Sequence, residues 1–415
     1  ILYAKELGME TIVFDHHILP GKLPLCHALI HTTKMTAAGI AWFFAYMLLS
    51  HLSKNKREEK KKNLDLAVLG TIADLIPLIG INRIIVKYGL EELNKTKRIG
   101  LCALMKESGL EREHIGVYEV SHILSPRINA MGRLKHALDA LRLLCTRDSK
   151  RAGTLATTLH LTNRERQILT EEATIHAMQN VKISTLQSDT LLFIASELYQ
   201  EGIIGLIAGK LVEEFYKPAV VVSIGKEYSK ASARSIHGFN IVEAIKETSS
   251  LLESVGGHPM AAGFTVATKN IDKLKEKLLH IAKEKIDEDM LKKVLKIDLP
   301  ISLSLVTMSL YRQIQKLAPF GVGNPEPAFV SQNVLVAHAR CVGKEGKHLQ
   351  LTLLPPGCIS NIHNTYEAIG FGMGEFIKQI GRNTRINIVY SIDENTWGNR
   401  RSLQLKLKDA KFAPT

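Results

Sequence analysis

Thr11-Ile-Val-Phe-Asp-His-His17 is a short apolar run that stops at one carboxylate and two imidazoles. Such a run reads as a buried parallel strand. Ligands in open α/β sheets bind at the carboxyl ends of such strands, so Asp15, His16 and His17 stand where chemistry is expected. Leu64-Asp-Leu-Ala-Val-Leu-Gly70, apolar and only weakly alternating, reads as a second strand, and Thr71-Ile-Ala-Asp74-Leu-Ile-Pro77 follows it. Asp74 lies 59 residues past Asp15 (74 − 15), room for a helical crossover and a parallel neighbour. Two strand ends in one sheet bring His16 and Asp74 together. A mixed imidazole and carboxylate set suits Mn²⁺, then Mg²⁺, and Zn²⁺ less well. The plainer alternative leaves Asp74 capping a turn before Pro77 and both histidines as polar loop residues.

Further along, Ser125-Pro-Arg-Ile-Asn-Ala-Met-Gly-Arg-Leu134 groups Arg127, Asn129 and Arg133 behind Pro126, which is expected to stiffen a turn. A guanidinium fork grips phosphate through two parallel bonds; the same arginines serve equally well in surface ion pairs. Ala233-Arg234-Ser235 and Gly256-Gly257-His258 add an arginine, a hydroxyl, and adjacent glycines whose bare backbone lets an anion approach. A turn leading into Pro259 is the alternative. Gly202 and Gly205 mark either the N-terminus of a helix that binds an anion or a close helix–strand contact, with packing the favoured reading.

The elements that must position these groups follow from length and pattern. A chain of 415 residues is too long for one core and suggests two or three domains. Residues 1–146 alternate short apolar runs with helical patterns, as βαβ units do. Within them, Ala37 to Leu49 is too short to span a bilayer and reads as a core helix, and Lys54 to Lys62 as a solvated loop. Residues 147–181 read as one long, mostly solvated helix with a narrow apolar stripe, joining two α/β segments. Residues 182–318 form the second segment, with strands at 190–195 and 219–223, a helix at 205–216 between them, and a lysine-rich helix at 270–295. Residues 319–415 open with a Gly/Pro cluster. Leu349, Leu351 and Leu353, then Leu403, Leu405 and Leu407, next alternate with polar residues, the mark of half-buried antiparallel strands and a small barrel of the OB type. Lys344, Lys347, His348, Trp397, Arg400 and Arg401 are its candidates for contact with a single strand.

Five scattered cysteines with no C-x-x-C pair argue against a disulfide framework or a thiolate zinc site and fit a reducing cytoplasm. A net charge of +13 permits attraction to a polyanion such as nucleic acid.

Asp15-His16-His17 with Leu19-Pro20-Gly21, Gly70 through Leu78, and Asn82-Arg83 resembles the DHH phosphoesterase superfamily. Ser125–Leu134, Asn163–Gln167, Glu201–Gly205, Ala233–Phe239, Gly256–Phe264 and Pro319–Pro327 follow in the order of one branch, so nearly the whole chain resembles the RecJ family of single-strand-specific exonucleases. The resemblance implies a DHH domain, a linking helix, a DHHA1 domain and an OB-like barrel. It implies a two-metal site for Mn²⁺ or Mg²⁺ with His16 and Asp74 as ligands. Asp15 would orient a neighbouring imidazole, and His17 would touch the scissile phosphate or protonate the leaving oxygen. Arg127, Asn129, Arg133, Arg234, Ser235, Gly256, Gly257 and His258 would grip the substrate phosphates. The implied activity is 5′-to-3′ hydrolysis of single-stranded DNA in recombination and repair. A helicase and a single-strand-binding protein are the partners it raises, for a cytoplasmic monomer with no membrane contact. The family carries two aspartate motifs upstream of Asp-His-His, whereas Glu6 and Glu10 are the only acids before Asp15. The expectation is an N-terminally truncated chain that holds half the metal site and hydrolyses little alone. Two alternatives stay open: a DHH/DHHA1 phosphodiesterase of short oligonucleotides or cyclic dinucleotides, and a non-catalytic single-strand-binding relative.

Overall fold

The computed structural model describes all residues except 18, 20–22, 53–60, 112–113, 184–188, 357–364, 382–383, 396–400 and 414–415. Pro20 and Gly21, most of the 54–62 run, Trp397 and Arg400 thus lie outside the described residues. Two compact units emerge, residues 1–93 with 295–415, and residues 94–294.

After a short helix α1 (Leu2–Glu6), strand β1 (Ile12–Asp15) pairs in parallel with β2 (Ala28–His31), in a register that sets Asp15 beside His31. Helix α2 (Ala37–Leu52) follows. It forms where the apolar run predicts a helix, yet only Gly39 and Ile40 are buried in it, and Phe43, Met47 and Leu48 are exposed. Being apolar on every side, it presents the same chemistry to its packed and its open faces.

The strand expected at 64–70 is instead helix α3 (Leu64–Ala73). A short buried run offers no periodicity to tell the two apart. Here Leu64, Asp65, Ala67, Val68, Leu69, Thr71 and Ile72 are all buried, so the helix is enclosed nearly all round. Gly70 lets it lie directly on Ala38 of α2, where a Cβ would collide. Helix α4 (Gly80–Asn94) completes this part and contributes Ile85 to the small core of Leu64 and Ala67.

The second unit opens with α5 (Ile99–Glu107), followed by a π-helical turn at Glu119–Leu124 that runs straight into α6 (Ser125–Leu134). Pro126 therefore sits in the first turn of a helix, where its missing N–H is harmless, and not in the turn expected for it. Helix α7 (Leu138–Cys145) leads to the 35-residue α8 (Ser149–Ile183). A five-stranded sheet then builds up from β3 (Leu192–Ser196), β4 (Ala219–Ser223), β5 (Tyr228–Arg234), β6 (Leu252–His258) and β7 (Ala261–Ala267), in the order β3-β4-β5-β7-β6. Only β3 and β4 are parallel. Alternation splits their side chains between faces: Leu192, Ile194 and Val221 pack with α8 and with α9 (Ile204–Phe215), while Phe193, Val220 and Val222 pack with α10 (Ile241–Lys246) and α11 (Ile271–Lys285). The lysine-rich helix thus ends ten residues earlier than expected, where Ile286 turns extended.

Back in the first unit, β8 (Leu299–Pro300) and α12 (Met308–Gln315) precede β9 (Phe329–Val342), β10 (His348–Leu354), β11 (Tyr366–Gly370), β12 (Arg385–Asn395) and β13 (Ser402–Phe412). The order β10-β11-β13-β12-β9, with β9 also paired to β10, closes a five-stranded barrel. Leu349, Leu351, Leu353, Ile388 and Tyr390 fill it. No helix among the described residues is long and apolar enough to cross a membrane.

Candidate functional site

The carboxyl end of β1 and the C-terminus of α3 meet. His16 Nε2 lies 2.8 Å from Asp74 Oδ2. His17 Nδ1 lies 2.8 Å from Asp15 Oδ1, which fixes the proton on Nδ1. The ligand atoms of Asp15, His16 and His17 all fall within 4.8 Å of one another, a spacing one cation can bridge. His16 Nδ1 is buried with no hydrogen-bond partner. An orphaned imidazole nitrogen amid carboxylates fits a divalent cation of the Mn²⁺ type. The side-chain hydrogen bond from His17 is the leading cause that holds the Asp15 carboxyl below its usual range; burial opposes it, and the backbone N–H groups of His17 and His16 add to it.

Several residues pin this arrangement. Asn82 donates from Nδ2 to the carbonyls of Lys34 and Pro77, tying the segment after Asp74 to the one after β2. Leu78 N–H donates to the Val322 carbonyl, and Arg83 to that of Ala318, so the Gly/Pro cluster buttresses the same segment. His31 is a neighbour that sequence reasoning missed; its Nε2 lies 2.7 Å from the His17 carbonyl. The signal was present, since β2 also ends an apolar run on an imidazole.

The phosphate candidates fall in the second unit. Arg127 is half-buried between helices, with Nη1 on the Ile123 carbonyl at 2.7 Å and Nε 3.4 Å from His160 Nδ1. Desolvation lowers its pKa, and Glu107 partly offsets this. Asn129, two residues on, is exposed. Arg133, six residues past Arg127, reaches the Gly202 carbonyl through Nη1 at 3.1 Å. Gly202 fits only as glycine, because a Cβ would collide with the Arg133 carbonyl, so the packing expectation for it holds.

Arg234 ends β5. Its Nη1 donates to its neighbour Ala233's carbonyl at 2.9 Å and to Ser232 Oγ at 3.3 Å, and its Nη2 lies against Gly205 at the start of α9. Sheet register sets Arg234 opposite Ala261, and Ala261 opposite His258, with Ala233, Ala262 and Gly257 in the next row. Gly256, Gly257 and His258 are exposed at this end of the sheet. Ser235 requires a correction: its hydroxyl donates to the Phe239 carbonyl at 2.6 Å and its N–H to the Met260 carbonyl, and the residue is buried. Both donors are spent on a turn, leaving none for a phosphate.

On the barrel, Lys347 pairs with Glu345 at 2.9 Å and Arg401 approaches Glu394 at 3.9 Å, while Lys344 is exposed. Phe371, 62 % exposed and edge-on to the His348 ring at 5.2 Å, offers the open aromatic face that strand alternation could not reveal.

Comparison with known proteins follows the same division. Residues 188–284 match the DHHA1 domain and residues 297–409 the RecJ OB domain. The single-stranded-DNA-specific exonuclease RecJ of Bacillus subtilis is 35% identical over 418 residues, covering 98% of this chain and 51% of that protein. A manganese-bound crystal structure of exonuclease RecJ is 30% identical, covering 70% of this chain and 73% of that one, with a TM-score of 0.57. The chain belongs to the RecJ family. The Mn²⁺ complex of RecJ from Thermus thermophilus aligns with 100% of this chain and 60% of its own, at a TM-score of 0.84 and 27% identity. The α/β architecture with a trailing OB domain is therefore that of RecJ structures, and this chain spans about half the length of the curated relatives it matches.

Proposed function

We propose that this RecJ-family chain carries metal-binding and substrate-gripping residues of a divalent-metal-dependent exonuclease that hydrolyses single-stranded DNA from its 5′ end. The observation that carries the reading is the meeting of His16 and Asp74 at 2.8 Å from two different elements, with His16 Nδ1 buried and unpartnered beside them. His16 and Asp74 would hold the cation, with Asp15 at its edge. When bound, a metal pair of this kind acidifies a water and neutralises charge on the phosphoryl oxygens.

The chain's own residues account for the rest. Asp15 holds His17 by Nδ1 and so orients the imidazole that would carry a proton towards the oxygen that leaves. Asn82 and Arg83 keep Asp74 in place by anchoring the backbone that follows it. Arg133, Arg234, His258 and the bare backbone at Gly256 and Gly257 bind phosphates of the strand, with Arg127 and Asn129 flanking them on α6. The barrel adds Phe371 and His348 as a stacking surface and Lys344 as a phosphate contact. A polymeric substrate, not a cyclic dinucleotide, makes use of that barrel. Roles in recombination and repair, and a helicase or single-strand-binding protein as partner, belong to the same proposal.

The test is Mn²⁺ titration of the chain by calorimetry, paired with digestion of labelled single strands by the protein extended upstream to the length of its relatives. Asp74→Ala should abolish digestion while sparing strand binding in EDTA. Digestion at near wild-type rate by that variant would remove Asp74 from the ligand set and the reading with it.

A further inference from the structure

Strand β2 ends on a histidine that the proposed reaction leaves without a task. Sheet register sets His31 beside Asp15, and past the paired residues a further backbone bond runs from the Thr32 N–H to the Asp15 carbonyl at 3.3 Å. The Asp-His-His stretch continues two residues beyond β1, and there His31 Nε2 lies 2.7 Å from the His17 carbonyl. A carbonyl only accepts, so the proton sits on Nε2.

This bond holds His17 from both sides. Its N–H approaches Asp15 Oδ1 at 3.4 Å, and its carbonyl takes the His31 bond. With the backbone fixed before and after Cα, the imidazole leaves the chain in a set direction, and its Nδ1 meets Asp15 Oδ1 at 2.8 Å. His31 is half-buried, and the chain that carries it is anchored. Three residues on, the Lys34 carbonyl accepts from Asn82, whose second Nδ2 bond goes to the Pro77 carbonyl behind Asp74. Asn82 is buried. A path of hydrogen bonds and short backbone thus runs from the Asp74 side of the site, through Asn82 and the end of β2, to His17.

We propose that His31 is a positioning residue: it aims the His17 imidazole by holding the His17 carbonyl, and contacts neither metal nor strand. Two other roles compete with this one. A strut would serve only to hold β2 to β1, and a ligand would give its imidazole to the cation. The aiming of His17 rests on the geometry alone, whereas its consequence for turnover rests on the exonuclease function proposed above.

Two amide substitutions separate these roles. Glutamine carries its Nε2 close to where histidine carries Nε2, while asparagine reaches only as far as Nδ1. His31→Gln can therefore keep the bond to the His17 carbonyl, His31→Asn falls short of it, and His31→Leu has no donor. In the 415-residue chain, nitrogen-15 correlation spectra of histidine-labelled protein read the His17 tautomer at about pH 8, where an ordinary imidazole is neutral. Wild type and His31→Gln should show the proton on Nδ1; His31→Asn and His31→Leu should show a mixture. A single unchanged tautomer in both of these overturns the proposal. If the Leu variant does not fold, the Asn and Gln variants decide between them. Calorimetric Mn²⁺ affinity should stay within about threefold of wild type in every variant, and a fall of about a hundredfold that Gln does not rescue would make His31 a ligand and overturn the proposal too.

Turnover is read in the protein extended upstream. His31→Asn should lower kcat about a hundredfold, the cost of a misplaced group, with KM and strand affinity in EDTA within about twofold of wild type. His31→Gln should recover most of that loss. An unfolding temperature that drops in all three variants, Gln included, with kcat falling in step, marks a strut and overturns the proposal. A tautomer that shifts as stated, in a protein that digests no single strand, would leave the aiming of His17 standing and sink the exonuclease reading instead.

Discussion

The group around His16 and the group around Gly202 handle charge in opposite ways. Asp15 and Asp74 each have an imidazole hydrogen-bond partner at 2.8 Å, and one imidazole nitrogen is left orphaned beside them. Arg133 and Arg234 lie at the two ends of one turn, at Gly202 and Gly205, and among the described residues neither forms an ion pair with an acid. The first needs a ligand to complete coordination; the second needs one to cancel charge. Ligand removal should therefore be nearly silent for the fold in the first case and felt by the whole unit in the second.

The largest expected effect breaks the first cluster. Asp74→Ala should weaken Mn²⁺ binding at least about a hundredfold, more than loss of an outer-shell partner costs. It should leave the unfolding temperature without metal nearly unchanged, since Asp74 is half exposed and its ion pair contributes little. Calorimetry for the metal and circular dichroism for the fold read the two halves; a large loss of stability would mean that Asp74 is structural.

Next is Gly202→Val, which strikes the scaffold of the second cluster and not its charges. The new side chain must push α6 away from the turn, because the atom it meets is the Arg133 backbone carbonyl. Overpacking of this kind costs about 1–3 kcal/mol, and strand affinity should fall with it as the arginines separate. Urea unfolding with unchanged stability would show that the turn gives way freely.

Arg133→Leu sharpens the contrast more gently. Stability in chloride should hold or rise slightly, whereas strand binding in EDTA should fall about tenfold, the value of one charged hydrogen-bond contact. A clear fall in the unfolding temperature would place Arg133, through its bond to Gly202, on the structural side.

The two clusters also differed in how far they could be read beforehand. Asp15, His16 and His17 are contiguous and end an apolar run, so residue type and position alone announced them. Asp74 was found for a partly wrong reason: its element is a helix, because a buried stretch such as Leu64–Ala73 has no polar face to betray its period. The arginine pair draws on α6 and β5, 101 residues apart (234 − 133), and no local spacing marks such a set. Arg166 lay inside a quoted motif, yet nothing in that motif marks its Nε as buried without a partner. Ser235 failed because a hydroxyl's donor is committed by the fold, here to the Phe239 carbonyl. The barrel strands were legible because Leu349, Leu351 and Leu353 repeat at a single clean period.

Tyr390 gives the smallest and most controlled comparison, a buried polar group whose needs are met. Its hydroxyl shares a 2.8 Å hydrogen bond with Ser331 Oγ, which also reaches the Ile301 carbonyl at 2.8 Å. Burial, the leading cause, pushes the phenol up to about 12, against a lowering by Ser331. A raised folded value means that the neutral form is favoured in the barrel. This stability is whole below the ordinary phenol value of 10.0 and drains away as pH rises towards about 12. Tyr390→Phe should remove this share of the alkaline loss, which unfolding midpoints between pH 9 and pH 12 would show. At neutral pH it should cost only about 1 kcal/mol, because Ser331 keeps the Ile301 carbonyl as acceptor and no buried donor is orphaned. Arg166, whose donor is already orphaned, should show no such cost on truncation. If Tyr390→Phe proved harmless and Arg166→Met severe, the distinction between met and unmet polar groups in this molecule would be reversed.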